Sequence, residues 1–201
     1  MPARFALPPH APGLKIGLFG GSFNPPHEGH RTASLVALHR LGLDSVWWLV
    51  SPANPLKDTR DLASFPMRIA AARAVAHHPR IEVTGLEAEI GARYTYQTIR
   101  YLKRHCPGVH FVWIMGADNL STLHRWRRWR EIAGNVAIAV VDRPGSTLAA
   151  AHAPAAAALA PYRRNANQAR VFAMQRPPAI IFLYGPRSTL SSTALRAPKA
   201  A

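Results

Sequence analysis

Apolar runs of strand length recur along the chain, at Lys15–Phe19, Ser45–Val50, Ile81–Val83, Val109–Met115, Val136–Val141 and Ala179–Tyr184. Between them lie helix-like stretches, Arg31–Leu41, Pro66–His77, Thr95–Arg104 and about Trp126 to Ala133. A strand apolar at nearly every position is buried on both faces, and such strands alternating with helices predict a parallel sheet covered on both sides. The pattern therefore reads as a single-domain α/β protein, a Rossmann-like doubly wound parallel sheet with helices on both faces. Ligands are then expected at the carboxyl ends of the strands. Pro66 suits a first helical turn, and Gly42, Gly108 and Gly134 follow the predicted helix C-termini. The domain is expected over 15–196, after a flexible N-terminal tail, 1–14, broken by Pro2, Pro8, Pro9 and Pro12, and before a short C-terminal tail, 197–201. The alanine-rich stretch Ser146 to Ala160, interrupted by Pro154, reads equally as helix or as loose insertion.

Composition narrows the setting. A chain of 201 residues with 48% hydrophobic and 17% charged residues has the balance of a folded globular protein, not a disordered one. The single cysteine, Cys106, rules out an intrachain disulfide and fits a reducing compartment. No apolar run reaches the length of a membrane span, and the N-terminus lacks the uninterrupted apolar segment of a signal peptide, so a cytoplasmic protein is expected. The formal net charge of +15 allows nucleic acid, an acidic membrane surface or small polyphosphates as partners, or merely a solvated basic surface. Charge alone does not choose among them.

The most informative segment is Gly20-Gly21-Ser22-Phe23-Asn24-Pro25-Pro26-His27-Glu28-Gly29-His30. It follows the first strand and opens the first helix. Glycines let a backbone approach a ligand closely, and the N–H groups of a helix start favour an anion. Two imidazoles in the same turn add donors, so the segment reads as a phosphate site with chemistry attached. It does not read as a zinc helix, which needs histidines four apart with glutamate directly after the first. Here the histidines are three apart and Pro25-Pro26 precede them, in a loop. A second constellation, Ser191-Ser192-Thr193-Ala194-Leu195-Arg196, follows the last strand and the turn Gly185-Pro186. Alone it is an N-capped helix start. Paired with the histidine loop, its hydroxyls, N–H groups and arginine become a second grip on polyphosphate.

Together these motifs resemble those of the nucleotidyltransferases with a His-x-Gly-His signature, and more narrowly the bacterial nicotinate-nucleotide adenylyltransferases. Ser51-Pro52-Ala53-Asn54-Pro55-Leu56-Lys57, Tyr94-Thr95-Tyr96-Gln97-Thr98 and Gly116-Ala117-Asp118 with Trp126 downstream occur in the same order, so the resemblance runs from about Lys15 to Arg196. It implies adenylyl transfer from ATP to nicotinate mononucleotide, giving deamido-NAD and pyrophosphate, with a homo-oligomer left open and no membrane or nucleic-acid partner. His27 and His30 become the catalytic pair, His30 supporting the α-phosphate. The implied ATP site comprises Gly20, Gly21, Ser22, His27, His30, Lys57, Gly116, Asp118, Ser191, Ser192, Thr193 and Arg196. In it Asp118 holds ribose hydroxyls, while Ser191, Ser192 and Arg196 hold the departing phosphates. The implied pyridine-nucleotide site comprises Ser22, Phe23, Lys57, Thr95, Thr98, Trp126 and Arg127, with Trp126 stacking near the ring. Mg2+ is implied with ATP, held mainly by the triphosphate, and no protein metal site is expected.

Two further readings stay open. Nicotinamide mononucleotide could replace the nicotinate form or be used beside it. From a different class, His124-Arg125-Trp126-Arg127-Arg128-Trp129-Arg130 could form a basic, aromatic nucleic-acid patch on a protein without turnover. On a helix Trp126 and Trp129 would share an inward face, which favours packing plus a local positive field. Met67-Arg68 reads as helix packing and surface charge, although the arginine could face the cleft. The remaining histidines show no ligand spacing, and Cys106, without an activating base, reads as structural.

Overall fold

The computed structural model describes residues 7–52, 62–141 and 153–184. Its seven strands are β1 (Lys15–Gly21), β2 (Ser45–Val50), β3 (Ile81–Thr84), β4 (His110–Gly116), β5 (Ala137–Val141), β6 (Arg163–Arg164) and β7 (Ile180–Leu183). They form one sheet in the order β3-β2-β1-β4-β5-β7-β6, with every pairing parallel. The helices are α1 (Glu28–Arg40), α2 (Phe65–Ala76), α3 (Leu86–Glu89), α4 (Thr95–His105), α5 (Ala117–Thr122), α6 (Trp129–Asn135) and α7 (Pro154–Leu159). Short 3-10 segments at Leu123–Arg125, Ala160–Tyr162 and Ala166–Met174 complete the described chain.

Strand alternation divides the core in two. Val46, Trp48 and Val50 of β2 join Ala33, Ala37 and Leu38 of α1, Ala72 and Ala76 of α2, and Phe172 on one face of the sheet. Trp47 and Leu49 point the other way, into a cluster with Ile99 and Leu102 of α4, Leu120 of α5, Ile132 of α6 and Leu159 of α7. Both faces are covered, as near-continuous apolar strands require.

Several boundaries differ from the sequence reading for identifiable reasons. Helix α1 starts at Glu28, because His27 is still extended and serves as the N-cap. The helix expected from Trp126 starts instead at Trp129: Arg128 sits at φ +55°, in the left-handed region, and breaks any continuous turn. Gly134 falls inside α6, whereas Gly42 and Gly108 do carry the positive φ expected after helices. The short helices α3 and α5 lie below the length at which periodicity is visible. Pro154 opens α7 in its first turn, so the ambiguous alanine-rich stretch is helical where described. Residues 7–14 lie against the body: Leu7 and Leu14 pack on the core, and Gly13 N–H donates to Gly108 O at 2.8 Å. Among the described residues no helix is long and apolar enough to cross a membrane.

Candidate active site at the switch point of the sheet

The chain runs from β1 outward through β2 and β3, then returns to place β4 on the other side of β1. The carboxyl ends of β1 and β4 therefore flank the crevice where ligands bind in sheets of this kind. Both strands end in glycine, at Gly21 and Gly116. Gly20 has a packing reason as well: a Cβ there would stand 2.6 Å from Cη2 of Trp113 on β4, so only glycine lets that indole lie across β1.

The histidine loop leaves β1 here. Phe23 takes φ +47°, a strained choice for a bulky residue. It is held there by its side chain, which is buried and stacks on Trp48 at 4.7 Å between centroids and 14° between planes. What Phe23 can offer a ligand is thus its backbone. The loop then passes through a cis Asn24–Pro25 peptide to His27, and Asn24 Oδ1 accepts the Ala63 N–H at 3.2 Å from the segment leading into α2.

His27 is buried and His30 half-buried, with ring centroids 3.8 Å apart. The His27 backbone N–H donates to His30 Nδ1 at 3.2 Å. Because Nδ1 accepts, the ring proton of neutral His30 resides on Nε2. The cap thereby selects the tautomer as well as the ring's position. Deeper in, Trp48 Nε1–H donates to Ser34 Oγ at 2.8 Å, and Ser34 Oγ–H donates to His30 O at 2.9 Å. This buried relay ties the first turn of α1 to β2. The positive end of the α1 dipole then adds to the field at the two imidazoles.

Asp118 stands exposed in the first turn of α5, directly after β4. Thr95 opens α4, where Gln97 Oε1 accepts the N–H groups of both Arg93 and Tyr94, at 2.9 and 3.0 Å. Thr98 is fully buried, and its hydroxyl donates to Glu87 Oε1 at 2.9 Å. Its side chain is therefore engaged within the fold. Trp126 packs edge-on against Trp113 at 6.2 Å, so one indole on β4 contacts both the Gly20 end of β1 and the Trp126 turn. Arg127 lies over the Tyr94 ring and Arg128 over Tyr96, each at 5.0 Å. The tyrosine faces are thus covered by guanidinium groups, and Trp129 is turned into the core, so this segment reads as a staple between α4 and α6. Lys57, Ser191, Ser192, Thr193 and Arg196 lie outside the described residues.

Two buried ionisable groups were not singled out as site residues from sequence. Arg68 on α2 is 2% exposed, and Glu87 on α3 is 7% exposed. Burial pushes the Glu87 carboxyl up to about 7, against the opposing hydrogen bonds from Thr98 and Ser51. Burial also pulls the Arg68 guanidinium below its ordinary value. The sequence signal for both was faint: one arginine on an otherwise apolar face of α2, and one glutamate beside Leu86. Among the described residues no group of three His, Cys, Asp or Glu side chains could hold a metal ion.

A parallel doubly wound sheet carrying a His-x-Gly-His loop at its switch point defines a nucleotidyltransferase, and the chain belongs to the cytidylyltransferase-like family, whose model matches residues 18–198. Within that class it belongs to the nicotinate-nucleotide adenylyltransferases. It is 57% identical to the protein of Methylorubrum extorquens named probable nicotinate-nucleotide adenylyltransferase, over 91% of this chain and 99% of that one. The protein of the same name from Brucella suis is 52% identical, over 91% of this chain and 94% of its own length. In fold the chain is similar to a Plasmodium falciparum nicotinic acid mononucleotide adenylyltransferase solved in complex with NaAD. That match has a TM-score of 0.64 at 16% identity and covers 91% of this chain and 82% of the other.

Proposed function

We propose that this chain transfers the adenylyl group of ATP to the phosphate of nicotinate mononucleotide, releasing pyrophosphate. The observation that carries this reading is the placement of His27 and His30 together at the start of α1, in the crevice between β1 and β4. A phosphate oxygen of the mononucleotide attacks the α-phosphorus of ATP, and the bond to the β-phosphate oxygen breaks. The nucleophile is already anionic at neutral pH and needs no base. The chain's task is to bring two anions together and stabilise charge as pyrophosphate departs, by positioning and electrostatics.

In this reading His30 Nε2–H donates to the α-phosphate, and His27 contributes beside it. The backbone of Gly20, Gly21, Ser22 and Phe23 borders both nucleotides. Asp118 takes a ribose hydroxyl pair. Backbone donors near Thr95 and at Trp126–Arg127 receive the nicotinate carboxylate, with Arg127 supplying positive potential and Trp126 the stacking surface. Thr98 acts by holding α4 through Glu87. Lys57, Ser191, Ser192, Thr193 and Arg196 are assigned to phosphate on the family motif alone. ATP is taken as its magnesium complex, the ion arriving with the triphosphate. We place the catalytic unit at residues 15–196. The buried thiol of Cys106, with substrates drawn from the nucleotide pool, supports a cytoplasmic setting.

The test is pyrophosphate release with ATP and magnesium, with nicotinate and nicotinamide mononucleotides side by side. A strong preference for the nicotinate form is the expected result. Comparable rates would keep the reaction and overturn the carboxylate selectivity; no release with either would overturn the reaction.

A further inference from the structure

Arg68 is the most deeply buried cation in the described chain and is absent from the motifs that define the site. Its described hydrogen-bond acceptors are all backbone carbonyls, and its guanidinium also lies over the Phe65 ring, 5.4 Å from the centroid. Nε–H donates to Ala63 O at 3.0 Å, Nη1–H to Ser22 O at 2.7 Å and to Ser51 O at 2.6 Å, and Nη2–H to Pro52 O at 2.8 Å. Those carbonyls come from three separate segments: the loop after β1, the loop after β2, and the approach to α2. An apolar side chain would fill the same volume without desolvating a charge, so packing does not account for an arginine here. Only the planar guanidinium fork presents donors in enough directions to hold three segments at once.

The geometry points to Arg68 as a positioning residue for adenylyl transfer, clamping the β1 loop to the β2 loop so that the Ser22–Phe23 peptide keeps one orientation in the nucleotide crevice. In a trans peptide the carbonyl and the next N–H point in opposite directions. Drawing Ser22 O onto Arg68 therefore turns the Phe23 N–H away from it, in a residue held at φ +47°. Two nearby bonds hold the same loops: Ser51 N–H donates to Gly21 O at 2.9 Å, and Ala63 N–H donates to Asn24 Oδ1. Glu87 hydrogen-bonds the Ser51 side chain while Arg68 holds the Ser51 carbonyl, so two buried ionisable residues grip Ser51. This inference rests on the adenylyl-transfer reading for its catalytic consequence, though not for its structural one.

The experiment compares wild type with Arg68→Lys and Arg68→Met, using Phe172→Leu, in the core on the 3-10 segment Ala166–Met174, as a control for lost stability. Steady-state kinetics with both substrates are read beside amide hydrogen exchange. A small displacement of positioning groups is enough to lose about 100-fold in rate. Arg68→Lys is therefore expected to lose about that factor in kcat, with KM for each substrate changed far less, and Arg68→Met to lose more. Exchange should accelerate at the Ser51 and Ala63 amides while Ile138 and Val140 of β5 stay protected. Wild-type kcat in Arg68→Lys, exchange accelerated throughout the sheet, or an equal kcat loss in Phe172→Leu at matched thermal stability would overturn the proposal. If wild type itself releases no pyrophosphate, the functional reading fails, and exchange at Ser51 and Ala63 still decides whether Arg68 clamps the loops.

Discussion

At the scale of single residues, His30 combines two tasks that pull apart under mutation. Its Nδ1 caps α1 by accepting the His27 N–H, and its Nε2–H is the donor assigned to the α-phosphate. Loss of a cap costs about 1 kcal/mol, which leaves a domain of this size folded. Loss of a donor aimed at charge that develops in the transition state removes roughly 100- to 1000-fold in rate. His30→Ala is accordingly expected to cut kcat by that order while changing ATP affinity only several-fold, measured by pre-steady-state kinetics and equilibrium binding. Equal losses in both would sink the role. The histidine pair was legible in the sequence because its letters and spacing carry the chemistry. Phe23 was legible only in name: whether it shows a ligand its ring or its backbone depends on the stack with Trp48, a residue on another strand.

At the scale of elements, α1 is set by what its inner face meets. Its start is not defined by an ordinary Ser or Asp cap; an extended His27 and the ring of His30 do that work. Its first turn is then tied to β2 by the Trp48–Ser34–His30 relay. Ser34→Ala would leave the Trp48 indole N–H buried without its acceptor, a loss of about 1–3 kcal/mol. Urea denaturation should show that loss, and kcat should fall with it as the His30 carbonyl loses its anchor. An unchanged midpoint would mean the relay carries no weight. The turn between α5 and α6 illustrates the limit of periodicity. Trp126 and Trp129 have helical spacing in the sequence, yet Arg128 at φ +55° divides them, and Arg127 and Arg128 lie over Tyr94 and Tyr96 at the start of α4.

At the scale of the whole molecule, Glu87 couples stability to pH. In the folded chain its carboxyl titrates at about 7, against an ordinary value of 4.5. Between those values the folded state holds a proton that the unfolded chain has lost, so stability falls as pH rises through that window. The cost is fully expressed above the folded value and is on the order of 3 kcal/mol. Glu87→Gln keeps the neutral shape and the acceptor for Thr98, so its thermal stability relative to wild type should improve as pH rises across the window. Parallel profiles for the two proteins would remove Glu87 from the pH response. The sequence by itself determined the class of sheet, six of its strands and four of its helices to within a few residues, and the loop that carries the histidines, because each is written in local pattern. Neither Arg68 as a clamp nor Glu87 as a near-neutral acid could be read that way. Their roles depend on burial and on partners as far as 46 positions away in the chain, and only the packing of α2 and α3 against the ends of β1 and β2 brings those together.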